Sequence, residues 1–300
     1  MPRTRYPKDR GLSVRMAATI ALLTALLAGF LAALVVAGIS LLVVVVIGAG
    51  FVVVQYLFSD RLALAALRAR VVDRREAPEL HAVVDRLCAL AGMDVPRVAL
   101  SPLALPNAFA TGRNDRVAVV CVTDGLLRRL DERELEAVLA HELSHIAHHD
   151  AIVMTIAGFL GIVAGLVVRF GLLGGVMRGR RDNLAAMMAL VVVVSMVVYA
   201  VSFLLTRALS RYRELSADRS AALLVGDPSA LASALTRLSE GASGIPTKDL
   251  RLAEPVNALL LLPAVARRHG PAALLSTHPT LERRLERLAA LDAELRRRPA

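Results

Sequence analysis

The chain has 300 residues, 56% of them hydrophobic but only 4% aromatic, with no tryptophan and a formal net charge of +10. That length suffices for two ordinary domains, yet the apolar residues gather in long charge-free runs, which excludes a plain soluble enzyme and excludes disorder. The basic residues are nearly all arginine (Lys8 and Lys248 are the only lysines), and many flank the apolar runs, which favours anchoring at lipid headgroups over binding nucleic acid.

The tail 1–15 sets Arg3, Arg5, Lys8, Arg10 and Arg15 against a single acidic residue, Asp9. By the positive-inside rule it is expected in the cytoplasm. Residues 16–58 carry no charge at all. A membrane-spanning helix needs about 20 apolar residues, so this run reads as two helices back to back, with Gly38 and Ser40 marking the turn. It is too long for a cleaved signal peptide. The chain is expected back in the cytoplasm near Asp60.

Residues 59–150 are polar. Arg70 to Glu76 reads as a charged linker. Leu80, Val83, Val84, Leu87 and Leu90 fall at helical spacing, predicting an amphipathic helix over 79–90. A short strand is expected at 97–100, and VAVVCVT at 117–123 reads as a strand buried on both faces. Between them PNAFATG, 106–112, is an extended segment. A helical turn begins at Asp124. Asp131 and Glu134 form a capping box, opening a helix expected to run through His149. Cys88 and Cys121 form no CxxC pair; they read as buried residues in a reducing compartment rather than a disulfide or a thiolate metal site.

A third apolar run, 151–168, meets Arg169 and extends to Met177 if that arginine snorkels. A fourth covers 184–206. Arg178, Arg180 and Arg181 lie between them, against the positive-inside rule if both runs cross. Either the pair crosses despite this loop or it enters part way; crossing is favoured. Residues 207–300 open inside a helix continuing from the fourth run to Leu224, stopped by Gly226-Asp227-Pro228. A helix over 228–238, a loop over 241–256 and a charged amphipathic helix over 281–295 follow. The two polar stretches together make one domain of ordinary size, split in sequence by the second hydrophobic hairpin. No internal repeat is evident.

The chemistry sits in His141-Glu142-Leu143-Ser144-His145, an HExxH motif inside the capped helix. Residues four apart share a helix face, so both imidazoles can grip one Zn²⁺. Glu142 sits about 100° round, able to reach a water on the metal without binding the metal. Seven histidines and twelve glutamates in random order would give roughly 0.006 such matches, so chance is a weak competitor. The best candidate for a third ligand is Glu214, in Arg213-Glu214-Leu215-Ser216-Ala217-Asp218. Asp218 lies one turn further on the same face, where it can accept the free N–H of a metal-bound histidine.

These motifs resemble the HtpX-type membrane zinc metalloproteases, gluzincins related to the CAAX prenyl endopeptidases. The resemblance covers nearly the whole chain: the N-terminal hydrophobic hairpin, PNAFATG, Val122 to Leu127, HELSHIAHHD, RELSADR and Thr277-His278-Pro279. It implies a mainly α fold with a small β-sheet, a gluzincin-like protease domain in an integral membrane protein. It also implies one zinc per chain on His141, His145 and Glu214, with Glu142 as general base. A cytoplasmic active site and a quality-control or stress-response role on membrane proteins are further implications, with polypeptides and the lipid bilayer as partners. His148-His149 departs from the family pattern, where relatives more often carry a non-histidine residue. His148 is read either as an extra ligand or gate or as a polar residue at headgroup level, the last being favoured. Asp150 fits the pattern, as a cap or as the orienter of a neighbour. His278 is either a further donor near the cleft or simply the residue before Pro279. Asn107 and Ala108 either line an edge strand that pairs with extended peptide or mark a turn. His81 and His269 read as surface histidines.

Because His141, His145 and Glu214 must meet at one ion, the third and fourth runs must cross twice or not at all. His141 lies nine residues before Asp150, roughly 14 Å if the helix continues, and Glu214 about 10 Å past Arg207. The catalytic centre is therefore expected within about one to three helix turns of the headgroups. Rival readings are a catalytically silent scaffold of the same fold, a transporter (disfavoured because the long runs hold no acidic residue), and a prenyl-peptide protease.

Overall fold

The computed structural model describes residues 10–36, 40–112, 117–173, 182–240 and 276–297. The basic tail before Arg10, Gly38, the arginines at 178–181, the expected loop at 241–256 and His269 lie outside them. In chain order the elements are α1 (Arg10–Val36), α2 (Leu41–Ala66), β1 (Arg70–Val71), α3 (Pro78–Ala91), β2 (Arg97–Ser101), β3 (Ala108–Thr111), β4 (Val119–Thr123) and α4 (Asp124–Leu127). They continue with α5 (Glu132–Ala147), α6 (Asp150–Leu173), α7 (Asp182–Val225), α8 (Pro228–Glu240) and α9 (Leu281–Arg297). The chain is mainly helical with one small sheet, as expected. It divides into two compact units: Phe58–Ala151 with the chain from Arg211, and Gly11–Leu57 with Ile152–Ser210.

In the first unit the sheet runs β1-β2-β4-β3. β2 and β4 are parallel, with Val98 opposite Val120 and Leu100 opposite Val122. β3 pairs antiparallel with β4 and forms the edge. Alternate residues of a strand face opposite sides, and here both sides are covered. Val98, Ala108, Val120 and Val122 join the main core. There they meet Val84 and Leu87 of α3, Leu139 and Leu143 of α5, Leu231 of α8 and Leu288 of α9. Ala99, Phe109, Val119 and Cys121 pack on the other side with Ala63 and Leu67 from the end of α2. This accounts for the unbroken burial of VVCVT. Both cysteines are buried and free, and burial pushes each thiol up to about 12.

Local signals set the helix ends. Pro78 opens α3, and Gly92 closes it at φ 67°. Thr123 caps α4, Asp131 and Glu134 form a complete capping box on α5, and Gly226 at φ 77° ends α7. Asp227 Oδ1 then accepts from the Ala230 N–H at 3.1 Å and starts α8.

Four details differ from the sequence-based expectations. Arg70 and Val71 belong to a strand rather than a linker, because β2 offers an outer edge to which they pair. His81 is a buried histidine rather than a surface one: its Nε2 lies 3.1 Å from the Val72 carbonyl. Leu90 falls outside the buried stripe of α3 and is 37% exposed. α5 ends at Ala147 instead of continuing through His149, because His149 adopts a left-handed φ of 52°. A straight rise of about 14 Å from His141 to Asp150 therefore does not apply.

The second unit is built from apolar helices. Leu23, Phe30 and Leu34 of α1 pack with Leu160 and Val163 of α6 and with Val191 and Val198 of α7. Other large apolar side chains point outward, including Val36, Ile156, Leu190, Val193 and Val197. A core on one side and apolar side chains on the other suit lipid rather than water as the surroundings. Among the described residues three helices are long and apolar enough to cross a membrane, Ser13–Val36, Asp150–Arg169 and Ala189–Val225. The second apolar run forms the 26-residue α2.

Candidate metal centre

The capping box fixes where α5 begins, and the core residues Ala137, Val138 and Leu139 hold its first turns. One turn later the same packed helix presents His141, Glu142 and His145. His141 is fully buried and Glu142 is 2% exposed. Glu214 approaches from α7. Among the described residues, His141, His145 and Glu214 form the group able to hold a metal ion, with one ligand atom of each lying within 4.8 Å of the others.

The separations are those of a cation's coordination sphere. The two imidazole Nε2 atoms lie 3.2 Å apart. His141 Nε2 is 3.6 Å from Glu214 Oε2, and His145 Nε2 is 3.5 Å from Glu214 Oε1. Tetrahedral zinc with nitrogen ligands at about 2.05 Å requires ligand atoms about 3.3–3.4 Å apart. All these atoms carry lone pairs when the rings are neutral with their protons on Nδ1. Glu214 Oε2 is also buried without a hydrogen bond. A proton gives partial relief: burial pulls His141 down, but Asp218 and Glu214 override it and hold the ring up at about 9. Burial pushes His145 down to about 4. A divalent cation satisfies all three groups together, so the residues present fit the metal.

Each histidine is braced from behind. Asp218 Oδ1 lies 3.0 Å from His141 Nδ1, close enough for an ion pair though off the line of the ring N–H. Asp218 is itself gripped by Arg284, whose Nε and Nη2 donate at 2.8 and 2.6 Å. Arg284 has no exposed surface. Asp150 Oδ2 lies 2.5 Å from His145 Nδ1 and pairs with Arg213. Asp150 thus orients a neighbour. Such braces fix the ring and leave Nε2 to face the metal.

His278 also reaches the centre: its Nδ1 lies 3.0 Å from Glu214 Oε2, again off the hydrogen-bond line. Burial pushes the Glu142 carboxyl up to about 7, against the pull of the His141 and His145 rings and of a hydrogen bond from the Ala110 backbone N–H. That contact puts Glu142 beside β3. The Thr123 N–H donates to the Asn107 carbonyl, so by antiparallel alternation Ala108 and Ala110 turn their backbone groups to the open edge. Asn107 Oδ1 accepts from the Ala108 N–H at 2.9 Å. Asn107 and Ala108 thus stand at the edge strand that flanks Glu142. His148 is exposed, caps α5 and does not join the metal-holding group.

Sequence reasoning missed Arg284 and Arg213. A signal for Arg284 existed: Leu281, Arg284, Leu288 and Leu291 follow the spacing of a buried stripe, with arginine where an apolar residue belongs.

Residues 74–292 match peptidase family M48. Protease HtpX homolog 1 of Streptomyces coelicolor is 56% identical over 299 residues, covering 99% of this chain and 98% of that protein. The protease HtpX homolog of Moorella thermoacetica is 49% identical over 298 residues, covering 99% of both. The crystal structure of Ste24p from S. mikatae aligns with a TM-score of 0.49 at 16% identity, over 93% of this chain and 66% of that one. An HExxH helix, a glutamate brought to it by a second helix, and the extent of identity to the HtpX homologs together make the chain an integral membrane metallopeptidase that belongs to peptidase family M48, of the HtpX type.

Proposed function

We propose that the protein is a zinc-dependent endopeptidase that hydrolyses membrane or misfolded proteins at the cytoplasmic face of the plasma membrane. One observation carries this reading: two braced imidazoles and a carboxylate converge at zinc-ligand separations, with a second buried carboxylate, Glu142, beside them. His141, His145 and Glu214 would hold the ion. Held there, zinc would supply Lewis-acid chemistry, lowering the pKa of a water to about 7 and polarising the scissile carbonyl. Glu142 takes the proton from the attacking water and delivers it to the departing amine. Its buried setting suits both tasks, since a carboxyl near neutrality can accept and return a proton. His278, next to Glu214, is placed to donate to the developing oxyanion. The substrate backbone lies along β3, where the Ala108 and Ala110 carbonyls face outward.

Apolar helices on either side of the HExxH helix in sequence, α1 and α2 before it and α6 and α7 after it, support substrates already in the membrane, and so a quality-control role. The polar unit, the tail and both termini are assigned to the cytoplasm from the basic tail. A spin-label measurement placing Glu214 far into the aqueous phase would oppose the membrane-proximal site.

The deciding experiment purifies the protein under chelation, restores Zn²⁺, and compares wild type with Glu142→Gln on a membrane-protein substrate. Glu142→Gln should retain one zinc per chain and lose about 10²–10⁴-fold in turnover. Equal cleavage by both proteins would overturn the mechanism. A farnesylated peptide tested alongside separates this activity from prenyl-peptide processing.

A further inference from the structure

We infer that Arg213 is a positioning residue for the metal centre, acting through Asp150 on His145; the inference rests on the reading of the cluster as a metal site. Arg213 and Asp150 are both buried, at 7% and 5% exposure. The Arg213 guanidinium pairs with Asp150 Oδ2, the same oxygen that lies 2.5 Å from His145 Nδ1. The three groups form a line from cation to carboxylate to imidazole.

Neighbouring helical residues point about 100° apart. On α7, Glu214 therefore faces the metal cluster while Arg213 reaches round to the first residue of α6. One turn of α7 thus supplies a ligand and also fixes a ligand that belongs to α5. The left-handed His149 makes this possible, because it folds Asp150 back toward His145 instead of letting the helix carry it away. The arrangement recurs on the other histidine, where Arg284, Asp218 and His141 form the same sequence of groups. Two histidines, each backed by a carboxylate and a buried arginine, make incidental charge neutralisation a poor account of Arg213.

The test uses the full-length protein in detergent, with zinc affinity read by competition against a chromophoric chelator and ligand geometry read from the visible spectrum with Co²⁺. Arg213→Met is expected to weaken zinc binding by about 10–100-fold and to shift the Co²⁺ bands. Asp150→Asn should cost a similar factor, and the double variant no more than either alone. Wild-type affinity and spectrum in an Arg213→Met protein that melts cooperatively would overturn the inference, as would additive losses in the double variant. Should Arg213→Met fail to melt cooperatively, Arg213→Lys decides. It keeps the charge but not the planar fork; a several-fold loss of zinc affinity is expected, and wild-type affinity overturns the inference. Wild-type protein that binds no zinc, or binds it unchanged after His141→Ala, refutes the metal-site reading itself.

Discussion

His141 and His145 carry the same ring but meet opposite surroundings. Against the pull of burial, carboxylates hold the first up at about 9, whereas burial pushes the second down to about 4. A metal must therefore displace a proton from one ring and meets a ready lone pair on the other. Dialysis against a chelator should abolish peptide hydrolysis, and added Zn²⁺ should restore it; activity that survives full metal removal would contradict this. Arg284 carries a separate prediction. Its removal strands the Asp218 carboxylate inside the protein, so Arg284→Met should lower stability by about 3–5 kcal/mol, read by thermal unfolding of the solubilised protein. An unchanged melt would show that the pair is dispensable. Such residues were only partly legible in the sequence. HELSH and RELSADR could be read because helical spacing is local. Arg284 interrupts the apolar stripe of α9, but what it does depends on Asp218, 66 positions away. His81 misled for a related reason: a polar residue on an amphipathic helix suggests solvent, and only the fold reveals the Val72 carbonyl beside it.

Elements were more legible than their edges. Apolar patterning marked α3 and α9, the Gly226-Asp227-Pro228 stop set off α8, and the capping box marked the start of α5. The strand β1 has two residues and no pattern of its own; pairing with β2 creates it. The end of α5 carried no glycine or proline to announce it, since the break falls on His149. The turn from β4 into α4 makes a sharper demand. A Cβ on Gly125 would lie 2.2 Å from the Ala104 carbonyl oxygen, while its N–H already bonds the Leu103 carbonyl at 3.0 Å. Gly125→Ala must push this loop away from α4, with an expected cost of about 1–3 kcal/mol in unfolding measurements. A neutral substitution would mean that the loop yields freely.

The whole chain alternates between two environments, and the apolar runs made that legible from composition alone. The side of the membrane on which the polar unit lies can be measured cleanly. Native Cys88 and Cys121 are buried with thiols pushed up to about 12, so an introduced cysteine should be the main site of labelling by an impermeant maleimide. Ser40→Cys, exposed between α1 and α2, should label on intact cells, while Arg296→Cys should label only after the membrane is opened. The reverse pattern would invert the proposed topology. The division of the polar unit into two chain segments also has a consequence in time. The HExxH helix is synthesised well before α7, and Arg284 comes later still. At about 5–20 residues per second, the roughly 70 residues from His141 to Glu214 represent about 4–15 seconds during which a growing chain holds two of the three proposed ligands. Nascent chains halted before residue 214 should bind no zinc tightly. A metal site built in this order cannot close before Glu214 has been made.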